Sequence, residues 1–70
     1  MSYDKGLKCW LVHRGECGSI MHCGTDFEID IGMNLVLSCR LDFDGRWYVV
    51  FKFSGVKVEL KKGEIYQILI

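Results

Sequence analysis

Apolar residues recur at every second position along most of the chain, most cleanly between Phe27 and Phe53. Phe27, Ile29 and Ile31 alternate with Glu28 and Asp30. Leu35, Leu37, Cys39, Leu41 and Phe43 alternate with Asn34, Val36, Ser38, Arg40 and Asp42. Trp47, Val49, Phe51 and Phe53 alternate with Tyr48, Val50 and Lys52. Side chains on a strand point to opposite faces in turn, so each first-named set predicts one interior. Ile31-Gly32-Met33-Asn34 predicts a turn after the first strand, and Asp44-Gly45 a turn after the second. An Asp-Gly pair between two alternating runs predicts a type I′ hairpin, which needs positive φ at both central residues.

The flanking segments extend the pattern. Met1 to Gly6 reads as a polar lead. Leu7 to His13 predicts a strand, with Leu7, Cys9, Leu11 and His13 on the inner face and Lys8, Trp10 and Val12 on the outer. Arg14 to Gly18 predicts a turn, and Ser19 to Cys23 fits either a helical turn or a strand fragment. Val56, Val58 and Leu60 alternate inward against Lys57 and Glu59. Lys61 to Glu64 predicts a turn before a last strand, Ile65 to Ile70. All eight glycines fall at these boundaries. Local turn chemistry and periodicity therefore agree. The expected fold is all-β, a single domain over residues 1–70. It is a small five- or six-stranded antiparallel barrel or curled sheet, SH3-like in size.

Composition sharpens the picture. A 70-residue chain buries only roughly 60% of its unfolded surface, so its core is marginal without a further stabilising element. Formal net charge is zero, so the chain lacks the footprint of a general nucleic-acid binder and leaves only a local basic face open to such a partner. Charge is nonetheless segregated. Over residues 24–45, Asp26, Glu28, Asp30, Asp42 and Asp44 face Arg40 alone, whereas Arg46, Lys52, Lys57, Lys61 and Lys62 dominate residues 46–64. The opening MSYDKGLK lacks the apolar stretch of a signal peptide, which predicts a cytoplasmic setting and reduced thiols.

Cys9, Cys17, Cys23 and Cys39, with His13 and His22, are the candidate metal ligands. Zinc sites commonly use C-x₂-C knuckles, and no such spacing occurs here, so no metal or other cofactor is expected. Adjacent His22 and Cys23 would point apart on a strand, and nothing recognisable supplies an oxyanion hole. The chain is therefore expected not to be an enzyme.

Surface candidates remain. The acidic ladder Asp26, Glu28 and Asp30 would line one face of a strand. Arg40, Arg46, Tyr48 and Lys52, with Trp10, form a basic and aromatic set of the kind that meets phosphates and bases. A solvated outer face that keeps strand edges from pairing is the favoured reading of the acidic ladder, and ordinary cross-strand pairing that of the basic and aromatic set. Trp10, Val12, Val36, Tyr48 and Val50 place apolar surface outward. The tail, with Tyr66, Ile68 and Ile70, is apolar on both faces. An apolar excess of that kind predicts an interface, most simply a two-fold homodimer through the tail.

The segment from His22 to Val50 resembles an uncharacterised family of small proteins from Gram-positive bacteria and their phages and mobile elements, a domain of unknown function. The likeness is carried by His22-Cys23-Gly24, Phe27-Glu28, Gly32, Arg40, Asp42 and Trp47-Tyr48. It implies a small β-fold and a phage or mobile-element origin, and it brings no catalytic residue with it. Together these features lead to the expectation of a non-enzymatic inhibitor that docks on a host defence protein. The alternatives are an oligomeric sponge for a small anionic nucleotide, using Arg40, Arg46 and Lys52, and a small nucleic-acid-binding or regulatory barrel.

Overall fold

The computed structural model describes residues 1–15 and 17–69, with Arg14 described by its backbone alone. Eight strands are seen: β1 (Ser2–Asp4), β2 (Cys9–Arg14), β3 (Cys17–Met21), β4 (Asp26–Asp30), β5 (Val36–Phe43), β6 (Trp47–Phe51), β7 (Lys57–Glu59) and β8 (Ile68–Leu69). They form two antiparallel sheets, ordered β1-β2-β3 and β7-β6-β5-β4-β8. The all-β expectation holds, but the strands do not close into a barrel. No helix among the described residues is long and apolar enough to cross a membrane.

The central meander β4-β5-β6 is the one that alternation predicts. Phe27 and Ile29 on β4, Cys39 and Leu41 on β5, and Val49 on β6 are all buried. Antiparallel register puts Phe27 opposite Cys39 and Leu41 opposite Val49, so the inward set forms one continuous surface. That surface packs against Trp10, Val12 and Met21 of the smaller sheet, with Met1 and Leu60 completing the core.

Both predicted turns lie where expected, with different geometry. Phe43 pairs with Trp47, leaving the three residues Asp44-Gly45-Arg46 as the connection. Only Gly45 there has positive φ, at 77°, so the hairpin is not a two-residue type I′ turn. The other turn extends to Leu35, whose amide donates to the Gly32 carbonyl at 2.9 Å. Gly32, Met33 and Asn34 are all left-handed, which delays β5 to Val36.

The first strand is phased opposite to the sequence expectation. Trp10 is completely buried and Val12 nearly so, while His13 is exposed. The segment carries apolar residues on both faces, so alternation cannot choose between them. Burying the indole removes the most apolar area, and the strand begins at Cys9, so no lysine is forced inward. Its partners were also illegible: the polar lead contains β1, and Gly18 lies inside β3 rather than in a turn.

Two further inward assignments are overturned. β6 ends at Phe51, because the Gly55 amide donates to the Phe51 carbonyl at 2.7 Å and folds residues 52–55 into a turn. Phe53 rides on that turn, fully exposed. Val56 and Val58 are likewise exposed, and only Leu60 of that set is buried.

The tail shortens to β8, an edge strand on β4 that pairs Ile68 with Ile29 and Leu69 with Glu28. Ahead of it, Met1 and Tyr66 exchange backbone hydrogen bonds of 2.7 and 2.9 Å, and the Asp30 amide donates to Gln67 at 2.9 Å. The Met1–Tyr66 pair ties the start of the smaller sheet to the tail, and the Asp30–Gln67 bond ties the tail to β4. Tyr66 and Ile68, assigned from the sequence to an oligomer interface, pack half-buried against the chain's own core. Ile70 lies outside the described residues.

Trp10 sits at the junction, edge-on to Tyr3 at 5.4 Å and to Tyr66 at 5.7 Å between ring centroids. Its Nε1–H has no hydrogen-bond partner among the described residues. Trp10→Ala is expected to destabilise by about 3–5 kcal/mol. That is comparable to the whole stability of a domain this size, so cooperative thermal unfolding monitored by circular dichroism should be lost. Trp10→Phe keeps an aromatic ring and removes the orphaned donor, so it should retain a cooperative transition.

Candidate binding surfaces

The larger sheet turns one face to the core and the other to solvent. Because strands alternate, the outward face gathers Asp26, Glu28 and Asp30 from β4, Arg40 and Asp42 from β5, Tyr48 from β6, and Lys57 and Glu59 from β7. The acidic ladder and the basic-aromatic set therefore share one surface. Trp10 does not belong to it: it is buried under the smaller sheet and cannot serve as a surface anchor.

On that face the charges pair with each other. Lys52 Nζ lies 2.9 Å from Asp26, Arg46 3.3 Å from Glu59 and Arg40 3.5 Å from Asp42. Asp30 accepts the Gly32 amide at 2.8 Å and so caps the turn. Glu28 stands between Ser38 and Leu69 in the register. Tyr48 faces Asp42 on one side and Glu59 on the other, with the Lys57 ammonium 5.4 Å from its ring centroid. Partial desolvation pushes the Tyr48 phenol above its ordinary pKa, and Asp42 and Asp44 add to the shift. Exposed pairs of this kind contribute about 0–1 kcal/mol each. Segregated charge along the chain thus becomes paired charge across the sheet. That leaves fewer free groups for a ligand than the sequence suggests.

A different surface stands out at the end of this sheet that carries the 31–35 and 52–55 turns. Met33 is 100% exposed and Phe53 101%, with Ile31, Leu35 and Val36 also exposed. Val36, Leu37, Phe51 and Phe53 line an apolar cleft there, with Ser38 and Ser54 and a volume of about 280 Å³. Alternation had assigned Phe53, Leu35 and Ile31 to the interior. The signal that could have placed Phe53 was its nearness to Gly55, which ends the strand before it.

All four cysteines are free thiols. Cys17 and Cys23 are exposed, as are His13 and His22, and Cys9 is half-buried. Among the described residues no three His, Cys, Asp or Glu side chains come together in a way that could hold a metal ion. Cys39 is fully buried, and burial, with the Asp26 carboxylate adding, pushes its thiol from 9.0 up to about 11. Maleimide should therefore label Cys17 and Cys23 in the native protein and Cys39 only on unfolding. The neutral Cys39 thiol contributes stability that is fully present below pH 9 and lost as pH rises toward 11. The denaturation midpoint should fall more steeply over that range in the wild type than in Cys39→Ala.

The family comparison is consistent with an uncharacterised small domain and covers more of the chain than His22–Val50. No curated protein and no solved structure matches the chain. A family model described as Domain of unknown function (DUF5348) matches residues 1–70, and the chain belongs to that family.

Proposed function

We propose that this is a non-enzymatic binding module that docks on another protein through the apolar end of its larger sheet. The observation that carries this reading is the full exposure of Met33 and Phe53 on two turns at one end of that sheet. Met33 also holds a left-handed φ of 56°, where glycine or asparagine would sit with less strain. Neither residue contributes to the core, so folding alone does not account for a large apolar side chain at either site. Aromatic and methionine side chains are enriched at the centres of protein interfaces, and polar residues surround them. The charged outer face, with Asp26, Glu28, Asp30, Arg40, Arg46, Tyr48 and Lys52, would form that rim.

In the form the sequence resemblance suggests, the partner is a component of a host defence system and the protein is its phage- or mobile-element-encoded inhibitor. A nucleotide sponge built on Arg40, Arg46 and Lys52 is disfavoured, because each of those cations already has a carboxylate partner.

Site-specific photo-crosslinking in the native host tests the surface. A cross-linker at position 53 should capture one protein partner, and a cross-linker at Ser19 on the smaller sheet should not. With that partner in hand, Phe53→Ser should weaken binding by more than about tenfold and leave the melting temperature unchanged. The complex should survive high salt, unlike binding to a nucleic-acid backbone. Capture of a second copy of the chain instead, or equal capture from both positions, would replace the proposal.

A further inference from the structure

A second concavity lies away from the apolar end and uses none of its residues. It has a volume of about 460 Å³ and is lined by Tyr3, Lys5, Lys8 and Lys62. The Lys62 ammonium sits 4.9 Å from the Tyr3 ring centroid, a cation–π contact that ties the late turn to β1. Among the described residues, Lys5, Lys8 and Lys62 have no carboxylate within ion-pair distance, in contrast to Arg40, Arg46 and Lys52. The neighbouring acid, Asp4, accepts the Leu7 amide at 2.9 Å and so holds the turn that presents Lys5 and Lys8. Like charges gathered around one concavity repel each other until an anion enters.

The backbone at Lys8 is an independent observation. Its φ is 55°, in the left-handed region that L side chains rarely adopt. Five of the other left-handed positions, Gly15, Gly24, Gly32, Gly45 and Gly55, are glycine, and only Met33 and Asn34 share the exception among the described residues. Lys8 is exposed, so core packing does not explain a lysine there. Strain kept at an exposed position, with its side chain lining a cleft, is characteristic of a binding site.

We propose that this cleft binds a compact phosphate-bearing anion of the di- or triphosphate class. Three lysines lining a single hollow suit clustered phosphate charge. Grouped in one compact hollow, they suit a small anion better than the extended backbone of a nucleic acid. Lys62 covers the Tyr3 ring and the Trp10 ring meets it edge-on, so recognition is of the phosphates rather than of a stacked base.

Isothermal titration of the whole chain with inorganic tripolyphosphate, pyrophosphate and ATP, at physiological ionic strength, tests this. Tripolyphosphate should bind, with amide shifts concentrated at residues 3–8 and 61–63. ATP binding no tighter than tripolyphosphate identifies the phosphates alone as the ligand chemistry, and tighter ATP binding identifies a nucleotide as the source. Lys8→Gly should lower affinity about tenfold while the melting temperature holds or rises, because it removes an ammonium and relieves the backbone together. Lys62→Gln should weaken binding in the same direction. Absence of tripolyphosphate and pyrophosphate binding would overturn the proposal. So would unchanged affinity in both variants, or tighter, steeply salt-dependent binding of a single-stranded oligonucleotide.

Discussion

Everything in this small fold leans on the Trp10 indole. It is the largest fully buried side chain, and it fills the space between two sheets that share no strand. Tyr3 holds it from its own sheet, and Tyr66 from the segment leading into β8. The Tyr66 hydroxyl in turn accepts the Lys61 amide at 2.9 Å, and the Tyr66 backbone pairs with Met1. One aromatic cluster thus fixes how the early and late parts of the chain meet. A short chain has few such contacts to spare, and removing this one takes the largest side chain out of the shared core.

The same economy shapes the surface. β7 and β8, the outer strands of the larger sheet, are only three and two residues long, which limits pairing with other chains. One ion pair on the solvent face between them, Lys52–Asp26, joins the acidic middle of the chain to its basic later part. Lys52, just past the end of β6, reaches Asp26 on β4 although β5 lies between, and its amide donates to the Ser38 carbonyl. Electrostatics here finishes a face that topology had already assembled, and each exposed pair adds little stability.

Departures from good folding chemistry fall elsewhere. Lys8 and Met33 hold left-handed backbone, and Phe53 is wholly in water. None of these choices improves the core, and each lies on a turn that a different residue would serve better. They mark two separate regions, one apolar and one basic. The chain therefore presents two distinct chemical surfaces.

The sequence by itself determined the β class, the meander from Phe27 to Phe51 and the positions of its turns. A period of two with polar residues between leaves one face to bury, and glycine marks where each run must stop. It could not phase Cys9–Arg14, because that strand is apolar on both sides and only the space between the sheets favours an indole over smaller groups. Nor could it show that Phe53 lies beyond the end of β6, that the tail packs against its own chain, or that opposite charges far apart in sequence meet across one face. Those outcomes depend on contacts between residues distant in the chain. Local periodicity carries no information about them, and only the tertiary structure decided them.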